Sequence, residues 1–348
     1  MDFPRLAYPI VQAPLSGGPS TAELAAAVSG AGGLGFLAAG YKTAETLRAE
    51  IARVRELTDA PFGVNVFVLD EQAVDEAALR AYCHGLAADA ERYAVELGEP
   101  RFDDDELAEK VAVLEDARVA VVSTTFGCPS AELTRRLHDA GSAVWVTVGS
   151  PAEAVQVQAT AAGADVLVVQ GFEAGGHRGG FDDTSDLALL PLLRLVARET
   201  ELPLVAAGGI GDGAAVAAVL AAGAVAAQVG TAFMHTPEAG TSAPHRAALA
   251  GDAPTGLTRA FSGRRARGIH NGFMRAHTDA PAAYPHVHYL TAPLRAAARA
   301  AGDADAINLW AGQAYPLAEE LPAAELVRRL GAGARVSLAA AQARLCGD

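Results

Sequence analysis

Short apolar runs recur along the chain, and glycine or polar turn residues follow most of them. Eight of these runs predict buried strands, because they are short, aliphatic and bounded by turn residues. The predicted strands are Ile10–Gln12, Leu34–Leu37, Phe62–Phe67, Val119–Ser123, Val144–Val148, Val166–Gln170, Leu204–Ala206 and Val225–Val229. Alanine-rich stretches separate several of them, as expected for helices that alternate with strands.

Four Ala-Gly pairs mark places where a predicted helix ends and a strand follows: Ala31-Gly32, Ala140-Gly141, Ala162-Gly163 and Ala222-Gly223. Glycine ends a helix readily because it adopts the left-handed backbone conformation without steric cost. Repeated units of this kind, eight in number, predict a (β/α)8 TIM barrel whose active site lies at the carboxyl ends of the strands. A doubly wound sheet is the alternative, although no GxGxxG fingerprint follows the first strand.

Two segments exceed a minimal barrel. The first, residues 68–118, follows the third strand and contains helix-like acidic stretches. The second, residues 236–348, follows the barrel core of residues 1–235 and mixes loops with a helical end. Long additions to a compact domain often form lids. We therefore expect an inserted helical segment, and a C-terminal extension that completes the barrel and covers its mouth.

Composition narrows the class of protein. Of 348 residues only 20% are charged, which favours a compact, well-buried enzyme, and the formal net charge of −14 disfavours nucleic acid and anionic membranes as partners. The three cysteines share no metal-ligand or CxxC spacing, and no basic segment followed by an apolar run opens the chain. These features predict a cytoplasmic protein. A homodimer fits a barrel with a long tail.

The basic cluster Arg264, Arg265 and Arg267 has two interpretations. A solvated basic loop is the simpler one, and a loop that faces an anion is the other.

The stretch from Ala164 to Gly180 carries the strongest functional signal. A strand runs into Gly171, Gly175 and Gly176, and His177 follows at once. Glycines let a ligand approach the backbone, and an imidazole at the edge of such a loop can act as an acid or base. Position alone thus makes His177 the candidate catalytic residue, although most single histidines are structural.

Further candidates lie at other predicted strand ends. Gly208 and Gly209 follow the seventh strand and Gln228, Gly230 and Thr231 end the eighth, where barrels of this class bind phosphate groups. The side-chain amides of Asn65 and Gln170 can donate and accept hydrogen bonds at the edge of a heterocyclic ring, and a buried structural role is the alternative. No HExxH or carboxylate cluster predicts a metal. A phosphosugar isomerase barrel also fits these features.

A series of sequence motifs, in a fixed order along the chain, indicates a family. The chain resembles the nitronate monooxygenases (2-nitropropane dioxygenases), FMN-dependent (β/α)8 barrels, and within them the bacterial, class I-like branch that acts on propionate 3-nitronate. The motifs that carry the resemblance are PIVQAPLSGGPST, PFGVNVF, VVSTTFGCP, VQGFEAGGHRGG, PLVAAGGIGDG, AAQVGTAF and TRAFSGRRARGI.

The resemblance implies a role for particular residues. FMN would be held by Ala13, Pro14, Asn65, Gln170, Gly175, Gly176, Gly208, Gly209, Gln228, Val229, Gly230 and Thr231. His177 would be the base for neutral nitroalkanes and would orient the anionic nitronate. Family members surround the substrate with tyrosines and a lysine. Tyr93, Tyr284 and Tyr289 are candidates by context, and Arg295 is the basic residue that follows in LTAPLR.

The implied reaction is oxidation of a nitronate by O2 to a carbonyl compound and nitrite or nitrate. Two alternatives remain at this level. One is an FMN-dependent NAD(P)H reductase acting on enoyl thioesters or quinones, and the other is a flavin-binding module without turnover.

Overall fold

The computed structural model describes residues 4–159 and 163–347, and these contain eleven strands and thirteen α-helices. The strands are β1 (Ile10–Gln12), β2 (Phe36–Ala38), β3 (Gly63–Phe67), β4 (Val121–Thr125), β5 (Ala143–Val148), β6 (Val166–Gln170), β7 (Gly176–His177), β8 (Leu204–Ala207), β9 (Ala226–Val229), β10 (Thr255–Thr258) and β11 (Ala266–Ile269). The helices are α1 (Ala22–Gly30), α2 (Ala44–Leu57), α3 (Glu76–Gly85), α4 (Ala87–Tyr93), α5 (Leu107–Ala117), α6 (Ala131–Asp139), α7 (Pro151–Ala159), α8 (Leu189–Val196), α9 (Gly213–Ala221), α10 (Ala243–Leu249), α11 (Gly272–Ala276), α12 (His286–Ala300) and α13 (Ala323–Cys346).

Eight parallel strands form the barrel, in the order β1-β9-β8-β6-β5-β4-β3-β2. A parallel bridge between Val11 and Leu34 joins β1 to the residues that precede β2, so the sheet closes on itself. Each strand therefore pairs with its neighbours in the sequence, which confirms the TIM barrel over a doubly wound sheet. All eight predicted strands are present, and their ends differ from the prediction by two residues at most.

Three of the four Ala-Gly pairs end a helix, as predicted. Gly32, Gly141 and Gly223 have φ angles of 90°, 92° and 106°, and each follows the alanine that caps a helix. Gly163 is also left-handed, with φ of 67°, whereas its predicted partner Ala162 lies outside the described residues.

Alternate strand residues divide between two apolar cores. Val11, Phe36 and Trp145 belong to the cluster inside the barrel, while their neighbours pack outward against the helices. The rings of Phe36 and Trp145 lie 5.7 Å apart. Gly63 on β3 makes room for this packing, because a Cβ there would stand 2.3 Å from the Phe36 ring. Side chains of the described residues thus fill the barrel interior below the strand ends, and a cavity lies above them.

The segment after β3 contains α3 and α4 as additions, whereas α5 packs on α2 and β3 as a regular barrel helix. In the C-terminal extension, β10 and β11 form a small antiparallel sheet with β7. Helix α13 packs against α9 and α1, on the outside of the barrel. In residues 4–159 and 163–347, no helix combines the length and the apolar character needed to cross a bilayer.

Candidate active site

A cavity of about 380 Å³ opens at the carboxyl ends of the barrel strands. The structure brings most of the predicted site residues to its wall: Ala13, Pro14, Asn65, Gln170, Gly175, Gly176, His177, Gly208, Gly209, Gln228, Gly230 and Thr231. These residues come from segments up to 218 positions apart in the chain, between 13 and 231 (231 − 13). Their convergence follows from the barrel, because the carboxyl ends of parallel strands meet at one rim.

Four predicted residues do not line this cavity. The Val229 side chain is buried in the core outside the barrel, and its carbonyl oxygen accepts a hydrogen bond of 2.8 Å from the Ala13 amide. The Tyr93 hydroxyl donates to Asp303 at 2.7 Å, and the Tyr289 ring lies beneath the Arg101 guanidinium. Tyr284 stands behind the wall, with its ring centroid 5.7 Å from that of His177. Of the three predicted tyrosines, only Tyr284 therefore contacts the site.

One end of the cavity is suited to a phosphate group. Gly208 and Gly209 have φ angles of 110° and 68°, which only glycine adopts without strain, and a Cβ on Gly208 would stand 3.0 Å from the Ala174 amide. The Thr231 hydroxyl accepts from the Gly312 amide at 3.0 Å and keeps its own proton for a ligand. The side-chain amide of Gln228 makes no hydrogen bond to any residue that the structure describes. Exposed donors thus surround space that a side chain would fill.

Hydrogen bonds within the protein hold the side-chain amides of Asn65 and Gln170 in place. Asn65 donates to the Ser123 hydroxyl at 2.9 Å and to its carbonyl at 3.1 Å. Gln170 accepts from the Gly179 amide at 2.8 Å and donates to the His177 carbonyl at 3.3 Å. Both side chains reach the cavity in one orientation, so a planar heterocycle would meet preset donors and acceptors.

His177 lies on β7, where it pairs with Ala266 of β11. The extension therefore holds the histidine that the sequence places on a free loop. Its Nε2 lies 2.8 Å from the Ser262 hydroxyl, which in turn donates to the Arg264 carbonyl at 3.3 Å. Since a carbonyl can only accept, Nε2 carries the imidazole proton and donates to Ser262. Nδ1 is left as the basic nitrogen, and no described residue hydrogen-bonds to it.

Electrostatics keep the imidazole neutral. Burial, followed by the charges of Arg264, Arg295 and Arg178, lowers the pKa of His177 to about 3. The ring lies deep in the protein while part of its surface faces the cavity. A neutral imidazole in a positive potential suits an anionic ligand better than a cationic one.

The basic cluster is neither solvated nor at the cavity wall, so the interpretation as a solvated loop is wrong. Arg267 is only 3% exposed, and Arg265 forms an ion pair with Asp186. Arg264 donates to the carbonyls of Arg178 and Gly180. These bonds satisfy the backbone of the loop after His177, which explains why so many arginines occur together.

Sequence reasoning missed part of the cavity wall. Tyr41, His288 and Trp310 line it, and Arg295 joins them as a buried cation. The Tyr41 ring stacks on His288 at 4.0 Å, and its hydroxyl lies 3.0 Å from that of Tyr284. Tyr41 has a φ of 65°, a conformation rare for tyrosine. No local sequence pattern predicts these residues, because they come from distant parts of the chain, with His288 and Arg295 on α12 and Tyr41 and Trp310 on separate loops.

Buried neutral histidines should make the protein sensitive to acid. Burial lowers the pKa of His177 to about 3 and that of His245 to about 4, and it lowers the pKa of His288 well below the usual 6.5. Below pH 6.5 these histidines take up protons in the unfolded chain but stay neutral in the folded protein. We therefore expect the free energy of unfolding to be highest above pH 6.5 and to fall below it, by about 1.4 kcal/mol per pH unit for each histidine.

Urea unfolding at pH 7.5, 6.5 and 5.5 measures this slope. In the His245→Asn variant the slope should shrink, since one of the histidines with a lowered pKa is gone. A free energy of unfolding that stays constant down to pH 5.5 would contradict the expectation.

In the part of the chain that the structure describes, no group of three or more histidine, cysteine or carboxylate side chains could hold a metal ion. The barrel, its glycine-rich rim and the neutral histidine define the class as a (β/α)8 barrel with its site at the carboxyl ends of the strands.

Comparison with known proteins defines the class further. The family model for nitronate monooxygenases matches residues 2–333. A nitronate monooxygenase from Paraburkholderia phytofirmans is 44% identical over 335 residues, which cover 92% of this chain and 91% of that protein. One from Pseudomonas aeruginosa is 44% identical over 338 residues, which cover 92% and 95%.

Solved structures agree with this relationship. A nitroalkane oxidase from Streptomyces ansochromogenes is 51% identical, with a TM-score of 0.93 over 97% of this chain and 98% of that one. FabK from Thermotoga maritima is 27% identical, with a TM-score of 0.73 over 98% and 96%. The chain belongs to the nitronate monooxygenase family, and it is an oxidoreductase.

Proposed function

We propose that the protein oxidises alkyl nitronates, propionate 3-nitronate among them, with O2 and bound FMN, and that the products are a carbonyl compound and nitrite or nitrate. The observation that carries the proposal is the neutral imidazole of His177 in a cavity with a phosphate-type rim. The names of the relatives from Paraburkholderia phytofirmans and Pseudomonas aeruginosa support it.

The cavity wall fits FMN. We assign the phosphate to the turn at Gly208 and Gly209 and to the rim formed by Gln228, Gly230 and Thr231, where donors are exposed and side chains are missing. The ring system would meet the preset amides of Asn65 and Gln170 on one side and the small residues Ala13 and Pro14 on the other. Gly175 and Gly176 let the backbone approach, and Val229 contributes only backbone atoms. FMN, when bound, supplies the electron transfer to O2 that no side chain can perform.

The residues of the chain have two tasks in this reaction. His177 would take the proton from the α-carbon of a neutral nitroalkane at Nδ1, while Ser262 holds the Nε2–H. Its low pKa makes it a weak base, so the site favours a nitronate that is already ionised. The positive charges of Arg264 and Arg295 favour the same anion, because they lower the energy of negative charge in a buried cavity.

Oxygen uptake by the purified protein tests the proposal. We expect rapid uptake with propionate 3-nitronate and none with NADH or NADPH. Uptake or loss of flavin colour only with a reduced nucleotide would instead establish a reductase, the competing candidate. No reaction with either kind of substrate would leave a flavin-binding protein without turnover.

A further inference from the structure

The part of the cavity wall that we assign to the FMN phosphate contains no charged side chain. Its residues are Gly208, Gly209, Gln228, Gly230 and Thr231, all of which are neutral. A phosphate monoester carries a charge of about −1.5 to −2 at neutral pH, and burying such a charge is costly without positive charge nearby. A phosphate bound here would therefore depend on cations that stand behind the wall.

Two buried arginines bind the loop of residues 171–175, which follows β6. Arg178 and Arg267 are 5% and 3% exposed, and neither lines the cavity. Their guanidinium carbons lie 5.9 and 4.4 Å from the centre of the Phe172 ring. Burial lowers the pKa of Arg178 to about 10, so its guanidinium stays charged at neutral pH. Among the described residues, neither arginine forms an ion pair.

The carboxylates whose charges act on Arg178 are bound to other groups. They belong to Glu173 and Asp186. Both oxygens of Glu173 accept from the Leu189 amide, at 3.1 and 3.0 Å, and Asp186 pairs with Arg265 at 2.5 Å. The hydrogen bonds of Arg178 go instead to backbone carbonyls, which leave its positive charge uncancelled.

Arg178 donates to two carbonyls of the loop. Nη1 donates to Gly171 at 3.1 Å, and Nη2 donates to Ala174 at 2.6 Å. Both residues border the phosphate turn, since a Cβ on Gly208 would stand 3.0 Å from the Ala174 amide and 3.2 Å from the Gly171 carbonyl oxygen. The guanidinium therefore fixes the backbone against which the turn at Gly208 packs.

The Gly175 amide connects this loop to the cavity. It shares a trans peptide with the Ala174 carbonyl, so its N–H points away from Arg178. Gly175 lines the cavity, and no described residue accepts from its amide. A Cβ on Gly312 would stand 3.3 Å from the Gly175 nitrogen and 3.6 Å from the Thr231 hydroxyl, so the two donors border the same space. The hydrogen bond from Arg178 polarises the peptide and strengthens its N–H as a donor.

We propose that Arg178 is a positioning residue for the FMN phosphate: it holds the Ala174 carbonyl so that the Gly175 amide faces the phosphate, and its charge offsets that of the anion. This inference rests on the FMN site of the proposed function. Arg178 acts through the loop, because the loop stands between its guanidinium and the cavity.

A comparison of FMN with riboflavin tests this role, because riboflavin has the same ring system and lacks only the phosphate. Flavin is removed from the full-length protein, and the dissociation constant of each flavin is measured by the quenching of its fluorescence. In Arg178→Met, FMN should bind about 10- to 100-fold more weakly, as expected for loss of a charge-assisted contact. The dissociation constant of riboflavin should change by less than about threefold.

Arg267→Met is the matched control. Arg267 is as deeply buried and lies over the same ring, but its Nε donates to the Phe172 carbonyl at 3.1 Å. The amide of that peptide belongs to Glu173, which does not line the cavity. In this variant the ratio of the two dissociation constants should change by less than about threefold.

Arg178→Lys keeps the charge but has a single nitrogen for two carbonyls. It should weaken FMN binding by about three- to tenfold and leave riboflavin binding unchanged. This variant carries the test if Arg178→Met does not fold.

Three results would overturn the proposal: equal weakening of both flavins in Arg178→Met, an unchanged ratio in that variant, or the same change of ratio in Arg267→Met. Equal weakening would show that Arg178 only stabilises the loop. The measurement needs no turnover, so it is separate from the proposed activity. A protein whose FMN binding depends on Arg178 in this way, but which consumes no oxygen with any nitronate, would refute the proposed activity alone.

Discussion

Replacing His177 with asparagine is expected to remove most turnover of neutral nitroalkanes, while the protein keeps its flavin and still oxidises preformed nitronates. Asparagine can hydrogen-bond to Ser262 but cannot accept a proton at neutral pH. Loss of a general base costs about 10²- to 10⁴-fold, and the nitronate reaction should fall by less than about tenfold because its proton has already left. Oxygen uptake with 1-nitropropane and with propyl-1-nitronate measures the two rates.

His245→Asn is the matched control for this prediction. His245 also lines the cavity and is buried, but it bonds to the Trp310 carbonyl at 3.0 Å and makes no contact with the proposed base. The ratio of the two rates should stay unchanged in this variant. If His177→Asn loses both reactions equally, the imidazole orients the substrate and is not a base.

Replacing Lys110 with methionine should lower the free energy of unfolding by about 3–5 kcal/mol, because it leaves the Asp105 carboxylate buried without its partner. Lys110 is fully buried and Asp105 is 8% exposed. Burial already raises the pKa of Asp105, and the 2.7 Å ion pair opposes that effect. The second Asp105 oxygen accepts from the Tyr41 amide at 2.9 Å, so the pair also holds the backbone that presents Tyr41 to the cavity.

Urea unfolding measures this change, and two variants control it. Lys110→Met combined with Asp105→Asn removes both charges and keeps an acceptor for the Tyr41 amide, so it should recover most of the loss. Arg48→Met breaks the exposed Arg48–Asp116 pair and should cost less than about 1 kcal/mol. A loss of under about 1 kcal/mol in Lys110→Met would show that Asp105 takes up a proton without cost.

The barrel and its rim could be predicted from the sequence because their determinants are local. A run such as Val166–Gln170 fixes a buried strand, and a glycine such as Gly223 fixes the end of a helix. Strand ends then meet at one rim by the geometry of the fold, which is why the sequence alone predicts that Asn65, Gln170 and Gly208 share one site.

The wall opposite His177 could not be predicted in this way. Arg295 and Tyr41 lie 254 positions apart (295 − 41) and meet only because α12 crosses the mouth of the barrel. Sequence context predicts Tyr93 and Tyr289 at the substrate, whereas the Tyr93 hydroxyl donates to Asp303 and the Tyr289 ring packs against the Arg101 guanidinium. The direction of a side chain on a long connection depends on distant packing, which periodicity and turn chemistry do not record.

The place of α13 on the barrel has a consequence for biosynthesis. This helix begins at Ala323 and packs against α1 and α9, where Gly213 and Gly333 come so close that a Cβ on Gly213 would stand 2.6 Å from Gly333. On the ribosome, α1 can pack against α2 early, but its contact with α13 forms only after nearly the whole chain has been made. Contacts between segments so far apart in the sequence form late and slow folding. A nascent chain stalled before Ala323 would expose the apolar flanks of α1 and α9, the surface that chaperones recognise.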